Sequence, residues 1–334
     1  MYGFGLKCDR FNKQNIGRLK MPNEMSPKSL PEMTVQTPAD PTTPAQERAR
    51  FFNSGNAFNI VLDPVPDHVF ATKIDDAMAP DAKTGFITCD LSSKFNNPTP
   101  ATTPFLLARY ARINEGDTIR AEFNTAGSIW YVISGSGTTT FGDQIIAWNA
   151  GDLFVLPGCA NVDVKAVDGN AVIWVVTNEP QMEFENAQPA EINETTIDIV
   201  HYPAAEIDRQ IDLLYGVSKG ENTAGIALIF SSEKQVDRRN ITPTMTLAMN
   251  TLPPGDSQRA HRHNSVAVAL VVQGENCYSV VEGERKDWAP WATTVTPPTS
   301  YHSHHNKGDK RAKFLIVQDG GLYNQGRTMG FSFD

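Results

Sequence analysis

At 334 residues, 40% hydrophobic and 20% charged, the chain is long enough for a large core or two domains and has an ordinary globular make-up. A formal net charge of −9, with no run of Lys or Arg, argues against nucleic acid or an anionic membrane as the main partner. No apolar run approaches the roughly 18 residues needed to cross a bilayer, Met1–Cys8 lacks a secretory apolar core, and Cys8, Cys89, Cys159 and Cys277 show no CxxC spacing, so a cytoplasmic protein with reduced thiols is expected.

Residues 1–46 read as an extended, poorly structured arm, because Met21 to Gln46 is dense in Pro, Ser and Thr. Pro44 to Phe52 predicts a short helix ending at Asn53-Ser54-Gly55. Residues 56–105 read as irregular strands and loops. A strand-rich unit is expected over 47–180. Its clearest strands are Leu107–Ile113, Ser128–Ile133, Gly137–Phe141 and Gly151–Pro157, each bounded by turn residues. Residues 181–240 read as a connection with one helix over Pro203–Tyr215, where Ile207, Ile211 and Leu214 keep a helical spacing and Gly216 stops the run. A second strand-rich unit is expected over 241–334.

Within that second unit lie five of the seven histidines, between positions 261 and 305. His261 and His263 are two apart, so on a strand both imidazoles take one face. The run Val266–Val272, stopped at Gly274, supports a strand there. A third imidazole comes from His302, followed by His304 and His305. Neutral imidazole is the commonest side-chain ligand for a divalent transition metal. His261, His263 and His302 are therefore expected to hold one.

The two halves also match each other. Gly116 to Gly135 and Gly255 to Gly274 are both 19 residues, and Gly151 to Pro157 and Trp291 to Pro297 are both six. The offset of 139 to 140 residues indicates an internal duplication. Aligned in this way, the first half has Glu122, Asn124 and Val162 where the second has His261, His263 and His302. That set cannot form a transition-metal site, so the first half is expected to be metal-free.

The pattern Gly255-x5-His261-x-His263-x10-Gly274, then Pro297-x4-His302, resembles the two signature motifs of the cupin superfamily. The resemblance implies an all-β chain of two double-stranded β-helix (cupin) barrels, a bicupin with a few short helices: an N-terminal barrel over 47–180 without ligands and a metal-binding barrel over 241–334. The usual cupin glutamate, four residues after the second His, is replaced here by Ala267. A three-His centre of this kind is similar to that of gentisate 1,2-dioxygenase-like bicupins. The segments Thr296–Asn306 and Gln318-Asp319-Gly320 resemble their Trp-His-Asp-His and Leu-Asp-Gly segments.

That likeness implies an oxidoreductase, an extradiol-type dioxygenase that uses one Fe(II) per chain and O2 to cleave a small hydroxylated aromatic. It also implies that His304 moves a proton or bonds the substrate, with Asp319 as a second catalytic residue near it. Zn(II) suits three imidazoles equally well by ligand type but supports no redox chemistry. A non-oxidative metal-dependent lyase or isomerase, or a small-molecule-binding bicupin, is the alternative. The family places an Arg six residues after the second ligand, to pair with a substrate carboxylate; this chain has Ala269. A substrate other than gentisate is expected. A half retained without ligands suggests a packing role, and the chains are expected to associate as a homo-oligomer, dimer or tetramer.

Overall fold

The computed structural model describes residues 29–218 and 225–334. Residues 1–28, the greater part of the arm expected to be poorly structured, lie outside the described residues. The chain up to Leu62 forms a unit of its own. Its described part holds a 3-10 turn, Leu30–Glu32, and a helix of only four residues, Pro44–Glu47, with Thr43 as N-cap. The helix expected to reach Phe52 stops early because Gln36 and Phe51 exchange backbone hydrogen bonds, both 2.9 Å, which holds Phe51 extended.

From Asp63 onward the chain is built of antiparallel strands in two pairs of sheets. A six-stranded sheet and a four-stranded sheet make the first barrel. A six-stranded and a five-stranded sheet make the second. Burial along the strands shows why the pairs differ. Gln144–Asn149 in the four-stranded sheet alternates between exposed and buried positions, as a half-solvated strand must. Leu107–Ile113 and Ala171–Thr177 in a six-stranded sheet are buried at every position, because both faces are covered. On one face Trp130, Ile173 and Ala111 fill the first barrel. On the other, Tyr110, Ile129 and Trp174 join Leu270, Val295 and Leu315 of the second half in one continuous core.

The two six-stranded sheets are also tied at a polar point inside that core. The Tyr110 hydroxyl donates to the Trp291 carbonyl at 2.6 Å and lies 2.8 Å from Thr293 Oγ1, which also accepts the Trp174 indole N–H at 3.0 Å. Each half then lends a strand to the other. His68–Phe70, ahead of the first barrel, pairs with Thr293–Thr296 of the second. Val200–Tyr202, ahead of the second, pairs with Leu153–Pro157 of the first. The exchange is reciprocal.

The helix expected over Pro203–Tyr215 runs from Ala204 to Tyr215 and buries Ile207 and Ile211. Two hydrogen bonds repeat across the duplication. Trp148 Nε1 donates to Thr139 at 2.9 Å as Trp288 Nε1 donates to Ser279 at 2.8 Å. Asn178 accepts the N–H of Ala126 as Asp319 accepts that of Val266, both at 2.9 Å.

Thr293 bonds two buried side chains of the other half, accepting from the Trp174 indole and meeting the Tyr110 hydroxyl oxygen, so Thr293→Val should lower the unfolding free energy by about 1–3 kcal/mol, the cost of an unpaired buried polar group. Urea unfolding of the whole chain measures it; an unchanged midpoint would show that the tie contributes nothing.

Candidate metal centre and its cavity

His261 and His263 form the two ends of a three-residue strand, and His302 opens the strand His302–Asn306. The two strands pair with His261 directly opposite His302. Sequence spacing puts the first two rings on one face, and register brings up the third. One nitrogen from each ring lies within 4.8 Å of the other two, a group that could hold a metal ion. Among the described residues this is the one such cluster of three.

The rings are prepared for that purpose. Nδ1 of His261 lies 2.8 Å from the Arg259 carbonyl, Nδ1 of His263 lies 2.8 Å from that of Ser265, and Nδ1 of His302 lies 2.9 Å from that of Ser300. A carbonyl only accepts, so each Nδ1 carries the proton and each Nε2 keeps a lone pair. Burial, followed by the neighbouring imidazoles, lowers His302 to about 3. Burial chiefly lowers His263 to about 4, and it lowers His261 as well. All three rings are neutral at pH 7, the state in which imidazole coordinates. Donor type, tautomer and convergence fit a divalent transition metal.

The three rings line a cavity of about 260 Å³ inside the second barrel. Its walls are mostly apolar, with Ala267, Ala269, Val271, Phe314 and Ile316 among them, and among the described residues no Lys, Arg, Asp or Glu lines it. The space exists because of two small residues. Ala269 and Thr294 are paired across strands where the first barrel pairs Trp130 with Phe154. Those two rings stack at 5.7 Å and 9° and fill the first barrel's interior.

The other expected site residues separate. His304 lines the cavity, buried, with its ring 5.6 Å from that of His302. Burial, then the nearby imidazoles, holds it well below the usual histidine range. His305 is turned away, bonded to Ser257 and Ser303 and stacked on Tyr278. Asp319 does not line the cavity; its carboxylate accepts the Val266 N–H, next to the Ser265 carbonyl that holds His263. Arg259 lies over Phe333, Arg262 over Tyr301, and Arg120 pairs with Asp163, so none of the three reaches the cavity. In the first barrel Glu122 takes a bond from Asn161, Asn124 bonds the Ala187 carbonyl and Val162 is core. Sequence reading missed Gln318 as a cavity residue, and Ser279 and Trp288 as the support of His304.

The family model for the cupin domain matches residues 248–318, which contain the three imidazoles. The 1-hydroxy-2-naphthoate 1,2-dioxygenase of Nocardioides sp. (strain KP7) is 33% identical over 103 residues, covering 30% of this chain and 27% of that protein. The 5-nitrosalicylic acid 1,2-dioxygenase of a Bradyrhizobium species is 34% identical over 79 residues, covering 24% of this chain and 38% of that one. The chain thus spans well under half the length of the curated relatives it matches. A salicylate 1,2-dioxygenase from Pseudoaminobacter salicylatoxidans superposes with a TM-score of 0.69 over 83% of this chain and 87% of its own, at 13% identity. The fold is that of a two-barrel cupin, and the cupin-domain match lies in the second barrel. Its likeness runs to the gentisate 1,2-dioxygenase-like members of that fold.

Burial pushes the Asp319 carboxyl from 3.8 up to about 7, although the Val266 N–H works in the other direction. The folded chain therefore keeps a proton that the unfolded chain releases, and this group makes stability fall as pH rises from about 4 to about 7. Asp319→Asn should remove that slope while keeping the bond to Val266, as Asn178 does in the first barrel; Asp319→Ala should cost about 1–3 kcal/mol. Denaturation at several pH values separates the two. Retained metal with lost turnover in Asp319→Asn would instead assign the carboxylate a chemical role.

Proposed function

We propose that the protein is an Fe(II)-dependent dioxygenase that cleaves the ring of a hydroxylated aromatic compound, with one metal per chain held by His261, His263 and His302. The carrying observation is three neutral imidazoles, each with Nδ1 fixed by a carbonyl, converging on an uncharged and largely apolar cavity of about 260 Å³. Such an iron, when bound, offers positions for a chelating pair of substrate oxygens and for O2, and a path for electrons between them. Extradiol-type cleavage is the finer part of the proposal, which the masses and positions of the product's carbonyl groups decide. Homo-oligomeric association and a cytoplasmic setting belong to the same reading, supported for the latter by the free thiols Cys89, Cys159 and Cys277.

The chain's own residues bind, orient and hold protons. Phe314 and Ile316 offer apolar wall to a ring. Ser279 Oγ accepts the Trp288 indole N–H at 2.8 Å and lies 2.8 Å from His304 Nδ1. The indole can only donate, which leaves the Ser279 hydroxyl proton for His304 Nδ1. When Ser279 donates to Nδ1, His304 carries its own proton on Nε2, where it can donate to a substrate oxygen or to one derived from O2. Asp319, through Val266, steadies the turn whose Ser265 carbonyl orients His263.

Two measurements test this. Metal analysis should find one divalent ion per chain in wild type and none held stoichiometrically in His302→Ala, with the fold intact by circular dichroism; two ions per chain, or full retention in the variant, would be incompatible with the assignment. Oxygen uptake with Fe(II) and a panel of hydroxyaromatics should reveal a substrate, and its failure across the panel would favour a non-oxidative enzyme.

Ala269 lines the cavity where the resemblance calls for a carboxylate-binding Arg. Gentisate should therefore be a poor substrate next to catechol- or hydroquinone-type compounds. A charge-assisted hydrogen bond contributes about 1.5–3 kcal/mol, roughly ten- to a hundredfold in binding. Comparing kcat/KM for these compounds in wild type and Ala269→Arg checks it: a gain for gentisate only in the variant is expected, and efficient cleavage by wild type overturns the claim.

A further inference from the structure

We propose that, in the substrate-free protein, Gln318 is a fourth protein donor to the metal through its side-chain oxygen, giving up that place when a chelating substrate and O2 enter; this rests on the reading of His261, His263 and His302 as ligands. Gln318 ends the strand Ala312–Gln318 and lines the cavity. Its amide nitrogen lies 3.1 Å from Nε2 of His263. That Nε2 carries the lone pair meant for a metal, because Nδ1 is engaged with the Ser265 carbonyl at 2.8 Å. The amide thus already sits against the coordinating edge of a ligand.

The spacing suits a shared ion. Two donor atoms held by one first-row metal at about 2.1 Å lie about 3.0–3.4 Å apart, depending on geometry. The amide of Gln318 occupies such a position with respect to His263. With its nitrogen forward it donates to the ring. With a half-turn about its last torsion its oxygen, a hard neutral donor, faces the same place. The turn costs no partner on the far side, because Thr246 Oγ1, 3.5 Å from Gln318 Oε1, is a hydroxyl that can donate or accept.

Strand register explains why the side chain arrives there. Gln318 stands directly opposite Ala267, so the two side chains share one face. Ala267 has only a methyl group, which leaves the space over the imidazoles to the residue opposite. The matching position in the first barrel is Thr177, opposite Ser128, and its hydroxyl bonds Glu179. The amide is particular to the half that carries the imidazoles.

The test uses the full-length protein and Co(II), whose binding and visible spectrum are read without turnover. Gln318→Leu should weaken Co(II) binding by about tenfold or more, at least the scale of losing an outer partner of a ligand, and should shift the visible bands toward the stronger absorption of lower coordination. Gln318→Glu should bind Co(II) as tightly as wild type or more tightly. Equal affinities and unchanged spectra in both variants overturn the proposal. If the Leu variant does not fold, the Glu variant decides, and weaker binding than wild type counts against a donor role. Wild type that takes up no Co(II) removes the metal centre and this donor together. Wild type that binds Co(II) but, with Fe(II), consumes no O2 removes the dioxygenase reading and leaves Gln318 standing.

Discussion

The second barrel depends on keeping three imidazoles uncharged at close quarters. Their ring centroids lie 4.3 to 6.0 Å apart. Protonation of two of them would set like charges side by side in an apolar wall, where the interaction is poorly screened. Burial prevents this by depressing all three, His302 furthest among them. Each ring then needs one polar partner for its N–H, and a backbone carbonyl two residues away supplies it. The local conformation at Arg259, Ser265 and Ser300 is thus as much part of the centre as the rings are.

The imidazole centre was legible because its logic is local and periodic. An HxH pair states its own face, and the histidine-rich segment after Pro297 supplied the third ring. On the strand His302–Asn306 the same period puts His304 on the face of His302 and His305 on the other. What stayed hidden depends on pairing between distant strands. Nothing in the order of residues says that Gln318 stands opposite Ala267, or that Ser279 lies behind His304. Ala269 was read as the loss of a cation. Its second meaning, open space, needed the knowledge that Thr294 is its neighbour and that Trp130 and Phe154 fill the matching place in the other half. The short helix after Thr43 was over-extended because propensity could not foresee the bridge between Gln36 and Phe51.

The two halves show which parts of a duplicated barrel are held in common. The indole-to-hydroxyl bond behind the inner wall and the side-chain oxygen that fastens the turn before the long strand occur in both. These hold the scaffold. The interior differs almost completely: stacked aromatics in one, imidazoles and small residues in the other. A packed interior and a cavity are alternative uses of one frame, and the packed half contributes rigidity to its neighbour through the shared core.

The exchange of edge strands bears on how the molecule is made. His68–Phe70 leaves the ribosome well before its partner, Thr293–Thr296, has been synthesised. Val200–Tyr202 closes the first barrel only after the connection has emerged. Neither barrel can complete its larger sheet on its own stretch of chain, and the pairings that finish both are of long sequence separation, the slow kind. During that interval the open sheet edges are exposed to other nascent chains. Expression yield and chaperone demand should therefore respond to changes at His68–Phe70, far from the imidazoles in sequence and chemically silent.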